Sequence, residues 1–170
     1  MHSPQSGGGH CSRTVSNHTT VNATLFTVRQ AITQDATALA ALEQLCVRES
    51  ESFRGSTELL SEVPPIGEEL IRFQAEPHNF VFVIETLDEI CGFAQMEILK
   101  SVAMVRRVYV SPNARELGAG ATLIDELRTH AKYLGCNRID AYTLPGDRLT
   151  KNLFERAGMK ARLLIASSDL

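Results

Sequence analysis

After residue 24 the apolar and polar positions change rhythm repeatedly, and each rhythm predicts an element. Leu25-Phe26-Thr27-Val28 is a run of β-branched and aromatic residues, the pattern of a strand. Ala36, Leu39, Leu42 and Cys46 then recur at spacings of three and four. They predict a helix capped by Thr33, with Asp35 in its first turn, that reaches about Glu49. The polar stretch from Arg48 to Pro64-Pro65 interrupts the pattern, and a second amphipathic helix is expected from Gly67 to Gln74. Phe80 to Ile84, Ile90 to Leu99 and Val102 to Val110 read as three strands, the last two joined by a tight reversal at Lys100-Ser101.

Ser111-Pro112-Asn113 ends that meander. From Ala119 to Leu134, the residues Leu123, Leu127, His130 and Leu134 share one helical face, and Gly135 suits the left-handed position after the last turn. Arg138 to Tyr142 predicts a short strand. Asp147 is placed to cap a helix from Arg148 to Ala157, and Lys160 to Ala166 reads as a final strand. The order is that of an α/β domain with a mixed, mostly antiparallel central sheet flanked by about four helices. A helical crossover is needed between the strands around Val108 and Ile139.

Residues 1–24 show neither period and read as a flexible tail before a single domain at 25–170. The tail holds His2, His10 and His18, too irregularly spaced to preorganise a metal site. The 170 residues carry a net charge of -3 with 22% charged residues, which disfavours a nucleic-acid binder. Cys11, Cys46, Cys91 and Cys136 form no ligand pair, so neither a zinc site nor a disulfide framework is expected. No window approaches the ~20 apolar residues of a membrane span, and the chain reads as cytoplasmic.

Candidate chemistry lies in Arg115-Glu116-Leu117-Gly118-Ala119-Gly120-Ala121, where a strand passes through a loop into a helix. Leu117, Gly118 and Ala119 offer no side-chain oxygen to the first helical amides, so those donors need another partner. Two glycines leave room for an anion, the helix N-terminus favours negative charge, and Arg115 adds a cation, a combination suited to a pyrophosphate. Ala121 and Thr122 after Gly120 argue against a Walker loop, and Leu123 against a dinucleotide fingerprint. Taken alone, the two glycines fit tight-turn packing equally well.

Arg115 to Gly120 resembles the Q/R-x-x-G-x-G/A signature of the GNAT superfamily. Arg107-Val108-Tyr109-Val110-Ser111-Pro112 resembles the strand and proline that introduce it, and Leu153-Phe154-Glu155-Arg156-Ala157-Gly158-Met159 is similar to the family's L-Y-E-K-x-G-F. The resemblance implies an N-acetyltransferase that moves an acetyl group from acetyl-CoA to a primary amine by direct attack on the thioester, without a metal. It implies that residues 115–121 hold the coenzyme A pyrophosphate, that the backbone of Val108, Tyr109 and Val110 pairs with the pantetheine arm, and that Phe154 lies near the cofactor. The acceptor would be a small-molecule or protein amine rather than a nucleic acid or a membrane, with a homodimer as the candidate assembly. Two positions depart from the pattern: Phe154 stands where a tyrosine is frequent and Asp147 where an asparagine is frequent. A phenyl ring has no proton to give, so the alternative is an inactive acyl-CoA-binding regulatory domain.

Counting back across Lys100-Ser101 places Gln95 and Glu97 opposite Arg106 and Met104, and Glu97 is the candidate base, directly or through water. Tyr142 is the candidate acid in place of Phe154. His130 and Cys136 are expected to be packing residues. Glu49, Glu51, Glu58 and Glu62, against Arg54, form a candidate acidic wall that would concentrate a cationic acceptor.

Overall fold

The structure, a computed structural model, describes residues 25–166 other than 64, 65, 68 and 88. The tail proposed for residues 1–24, with its histidines and Cys11, lies outside the described residues. Strands β1 (Thr27–Gln30), β2 (Asn79–Glu85), β3 (Ile90–Leu99), β4 (Val102–Val110) and β5 (Arg138–Ala141) form one sheet in sequence order. The first four are antiparallel, and β5 runs parallel to β4 after a helical crossover, as the sequence requires. Lys100 takes a positive φ of 59° at the β3–β4 reversal.

Among the described residues six helices surround the sheet: α1 (Ala36–Ser50), α2 (Ser56–Glu62), α3 (Leu70–Ala75), the one-turn α4 (Pro112–Arg115), α5 (Ala119–Tyr133) and α6 (Arg148–Arg156). They exceed the expected four by α2, which falls in the stretch read as broken, and by α4. Thr33 starts a 3-10 turn and makes no cap hydrogen bond; Asp35 instead accepts from the Ile32 amide at 2.8 Å and from Arg29, which also holds Glu85. Those bonds hold the Asp35 carboxyl below its ordinary range, Arg29 being the larger cause.

One correction concerns the C-terminus. Residues 160–166 form no strand, and Leu163, Leu164 and Ile165 are exposed. Strand propensity describes a side chain that fits a pleated surface, but a strand exists only where a neighbour pairs with it, and no described strand lies beside this segment.

The sheet has two faces. Ala94, Met96, Ala103, Val105, Val110, Leu123, Ile124, Leu127 and Phe154 pack on the side of α5 and α6. Leu39, Leu42, Ile66, Leu70, Val81, Phe93 and Tyr109 pack on the side of α1 and α3. His130 sits against the edges of Phe80 and Phe82 at 4.9 and 5.0 Å, as a packing residue should, and burial lowers its pKa so that it stays neutral.

The β3–β4 ladder departs from the simple count. Glu97 faces Met104 as expected, but Gln95 faces Arg107 rather than Arg106, because a bulge lies between the pairs Met96–Val105 and Gln95–Arg107. Arg106 is the extra residue. Below the bulge odd-numbered residues of β4 face α5, and above it even-numbered ones do, as the core positions Val105 and Val110 show.

Candidate active site

The bulge separates the work of two adjacent arginines. Arg107 turns toward α1, where it forms a buried ion pair with Glu43 and donates to the Val63 carbonyl at 3.0 Å. Glu43 also accepts from the amides of Ile66 and Gly67, so one carboxylate ties α1, β4 and the segment before α3 together. Arg106 donates to Glu97 at 2.8 Å through Nε and to the Tyr142 hydroxyl at 3.4 Å through Nη1. The two candidate catalytic residues are thus joined through an arginine that the sequence reading did not single out.

Past the bulge the sheet opens. The β4–β5 ladder ends at Val105–Ala141, with one further bond from the Tyr142 amide to the Val105 carbonyl at 3.2 Å. Among the described residues, the edge of β4 from Arg106 to Val110 therefore has no strand beside it on the β5 side. A cleft occupies the gap, lined among others by Ser50, Ser56, Arg106, Val108, Tyr142 and Asp147. Glu97 does not line it; its carboxylate is taken up by Arg106. Phe154 lies in the core at 5% exposure, so its ring serves packing.

The loop above the cleft has the conformation an anion needs. Gly118 takes a φ of 91° before α5, no side chain caps the helix, and its first backbone bond runs from Thr122 N to Gly118 O at 3.1 Å. The amides of Ala119, Gly120 and Ala121 precede it and are left for an external acceptor. A Cβ at Gly118 would meet no atom within 4 Å, so the approach is open. Gly120 is different: a Cβ there would lie 3.0 Å from Leu153, so this glycine is needed where α5 packs on α6. Gly120→Asp is accordingly expected to lower stability by about 1–3 kcal/mol through overpacking, which a urea titration would measure, and it is a poor test of cofactor binding.

Arg115 is engaged. Its Nε donates to the Val110 carbonyl at 2.7 Å, Nη2 to Glu49 at 2.6 Å, and its guanidinium lies 5.2 Å from the Tyr109 ring centre. The Tyr109 hydroxyl donates to the same Glu49 carboxylate at 2.7 Å; burial first, and then this bond, pushes its pKa to about 12. Glu49 is therefore neutralised rather than a free member of an acidic wall, and Glu51, Glu58 and Glu62 do not line the cleft. Among the described residues no group of three His, Cys, Asp or Glu could hold a metal, and no helix is long and apolar enough to cross a membrane.

Comparisons with known proteins agree with this geometry. Residues 36–159 match the sequence model of the acetyltransferase (GNAT) family. An uncharacterized N-acetyltransferase of Bacillus subtilis (strain 168), YhfO, is 29% identical over 138 residues, covering 77% of this chain and 87% of that protein. A structure of a predicted acetyltransferase with acetyl-CoA from Clostridium acetobutylicum superposes with a TM-score of 0.64 at 13% identity, over 85% of this chain and 96% of that one. An aminoglycoside acetyltransferase from an uncultured soil metagenomic sample, in complex with sisomicin, gives 0.64 at 17% identity over 86% and 97%. With the matched segment running from α1 through the cofactor loop to the end of α6, the chain belongs to the GNAT acetyltransferase family and is an acyl-CoA-dependent N-acetyltransferase.

Proposed function

We propose that the chain acetylates a primary amine held in the cleft beside β4, by direct attack of the amine on the thioester of acetyl-CoA. The observation that carries this reading is the junction of two unsatisfied backbone features: the open edge of β4 above the bulge and the uncapped start of α5 at Gly118. The amides at the α5 N-terminus suit the pyrophosphate, with residues 115–121 forming the loop around it. The backbone of Val108, Tyr109 and Val110 suits the amide groups of the pantetheine arm. An arm lying there would bring its thioester into the cleft between β4 and β5, where Tyr142 stands.

Within the cleft, Tyr142 is the proposed proton donor to the departing thiolate. Its oxygen already accepts from Arg106, so its own O–H is directed elsewhere and is available to give. Glu97 holds Arg106 from behind, and it would take the proton of the amine through a water beside that pair, since the guanidinium has no site to accept one. The acceptor amine must be neutral when it attacks, and the acetyl carbonyl must be polarised as the new N–C bond forms. Aminoglycoside acetyltransferases among the similar structures favour a small-molecule acceptor.

Coenzyme A is expected to raise the thermal midpoint, because a ligand that binds only the folded chain stabilises it by mass action, by about 2.7 kcal/mol at a hundredfold excess over Kd. Release of free thiol on incubation with acetyl-CoA and an amine panel is the companion measurement. No midpoint shift at millimolar coenzyme A, together with no thiol release, would defeat the proposal.

A further inference from the structure

Glu49 is a carboxylate in the last turn of α1, where it faces the negative end of the helix dipole, so the stability of that helix does not account for it. Its two oxygens have different partners. Oε1 accepts from the Tyr109 hydroxyl at 2.7 Å and Oε2 from Arg115 Nη2 at 2.6 Å, so one side chain links α1 to β4 and to the end of α4. Arg115 is gripped from a second direction, because its Nε donates to the Val110 carbonyl at 2.7 Å. The guanidinium is thus held at two nitrogens.

What that grip controls follows from position in the chain. Only Glu116 and Leu117 separate Arg115 from Gly118, where α5 and its uncapped amides begin. Residues 116–118 are exposed, and of the side chains from Ser111 to Gly118 only that of Arg115 makes hydrogen bonds among the described residues. The turn has few other anchors: Ala114 is buried, and the Leu117 amide reaches the Ala114 carbonyl at 3.3 Å. The entry to α5 is therefore fixed largely through Arg115, and Arg115 through Glu49.

We propose that Glu49 is a positioning residue for the coenzyme A pyrophosphate, acting through Arg115 to fix the turn from Ser111 to Gly118 and hence the direction of the free amides of α5. The inference rests on the reading of those amides as the pyrophosphate site. Glu49 touches no reacting atom. Its charge opposes a nearby anion while its grip on the turn favours one, and the grip prevails because Arg115 balances the charge.

Glu49→Gln and Glu49→Ala separate geometry from charge. Glutamine offers one oxygen to Arg115 Nη2, and its amide can donate to the Tyr109 oxygen once that hydroxyl turns its hydrogen away, so both links survive without the charge. Alanine loses both, and at an exposed helical position it leaves the fold intact. Acetyl-CoA and S-acetylpantetheine, which lacks the pyrophosphate, serve as donors in a thiol-release assay, with calorimetry for acetyl-CoA and a melting curve on each preparation. Glu49→Ala is expected to raise Kd and KM for acetyl-CoA about fivefold, and Glu49→Gln to stay within about twofold of wild type. KM for S-acetylpantetheine should be the same in all three. In an Arg115→Ala background, Glu49→Ala should add no further change. Unchanged or tighter acetyl-CoA binding in the alanine variant overturns the proposal, and so does an equal loss in the glutamine variant. A loss shared by both donors, or one that persists without Arg115, overturns it too, since general loosening of the fold predicts either. A wild type that fails to bind acetyl-CoA defeats the pyrophosphate reading itself, and the role of Glu49 with it.

Discussion

Glu43→Ala is expected to cost about 3–5 kcal/mol of stability, the usual loss when one partner of a buried ion pair is removed and the other charge stays behind. That is a large part of the ~5–15 kcal/mol that holds a typical domain folded. The argument rests on burial: Glu43 is 5% and Arg107 7% exposed, so water cannot replace the missing carboxylate. Two amides, of Ile66 and Gly67, would lose their acceptor at the same time. Urea unfolding of the single variants and of Glu43→Leu combined with Arg107→Met checks the claim. The apolar pair should recover part of the loss, because it removes both buried charges, but not all of it, because the backbone amides and the Val63 carbonyl remain unpaired. A single variant within about 1 kcal/mol of wild type would show that the pair is wetter than its burial implies.

Ala121→Glu should move binding and stability in opposite directions. Ala121 is exposed in the first turn of α5 and its side chain has no structural task. A carboxylate there meets the positive end of the helix and should add about 0.3–1 kcal/mol to stability. The same carboxylate would face the proposed pyrophosphate site. Repulsion between unit charges a few ångströms apart spans roughly 1–4 kcal/mol between bulk water and a protein surface, so acetyl-CoA Kd should rise about tenfold or more. Ala121→Gln, similar in size and uncharged, is the control, and added salt should narrow the gap between the two. Calorimetry and a melting curve on both variants decide it. Equal acetyl-CoA affinity for the two would place the pyrophosphate elsewhere.

Local rules recovered most of the fold. The stripe of Leu123, Leu127 and His130 became α5, Gly135 took its positive φ of 78°, and Asp147 caps α6 as its position suggested. What local rules missed depends on partners distant in the chain. α2 was hidden because seven residues with little apolar content give no clear period, and Leu59 and Leu60 find their use only against the cleft. Residues 160–166 have the composition of a strand without a described neighbour to pair with. In the site, the loop and its glycines were legible, since uncapped amides can be read from side chains alone. The engagement of Arg115 by Glu49 joins residues 66 positions apart, and nothing in either neighbourhood announces it. The same holds for Glu43 and Arg107, whose pairing turned a helix-face glutamate into a core residue.

The bulge at Arg106 also bears on how this chain can vary. Strand phase is set by the number of residues between two points, whereas side chains merely occupy the phase they are given. Almost any residue could stand at position 106 without disturbing which way its successors point, so substitutions there test only the link to Glu97 and Tyr142. Loss of that one codon would close the bulge and leave the phase as it is: Val105 and Arg107 would become consecutive, one toward α5 and the next toward α1, and Val108, Tyr109 and Val110 would keep their faces. A fold that survives both replacement and deletion at this site, while the link from Glu97 to Tyr142 is lost in either case, would be the genetic mark of a residue that stands outside the ladder and acts through its side chain.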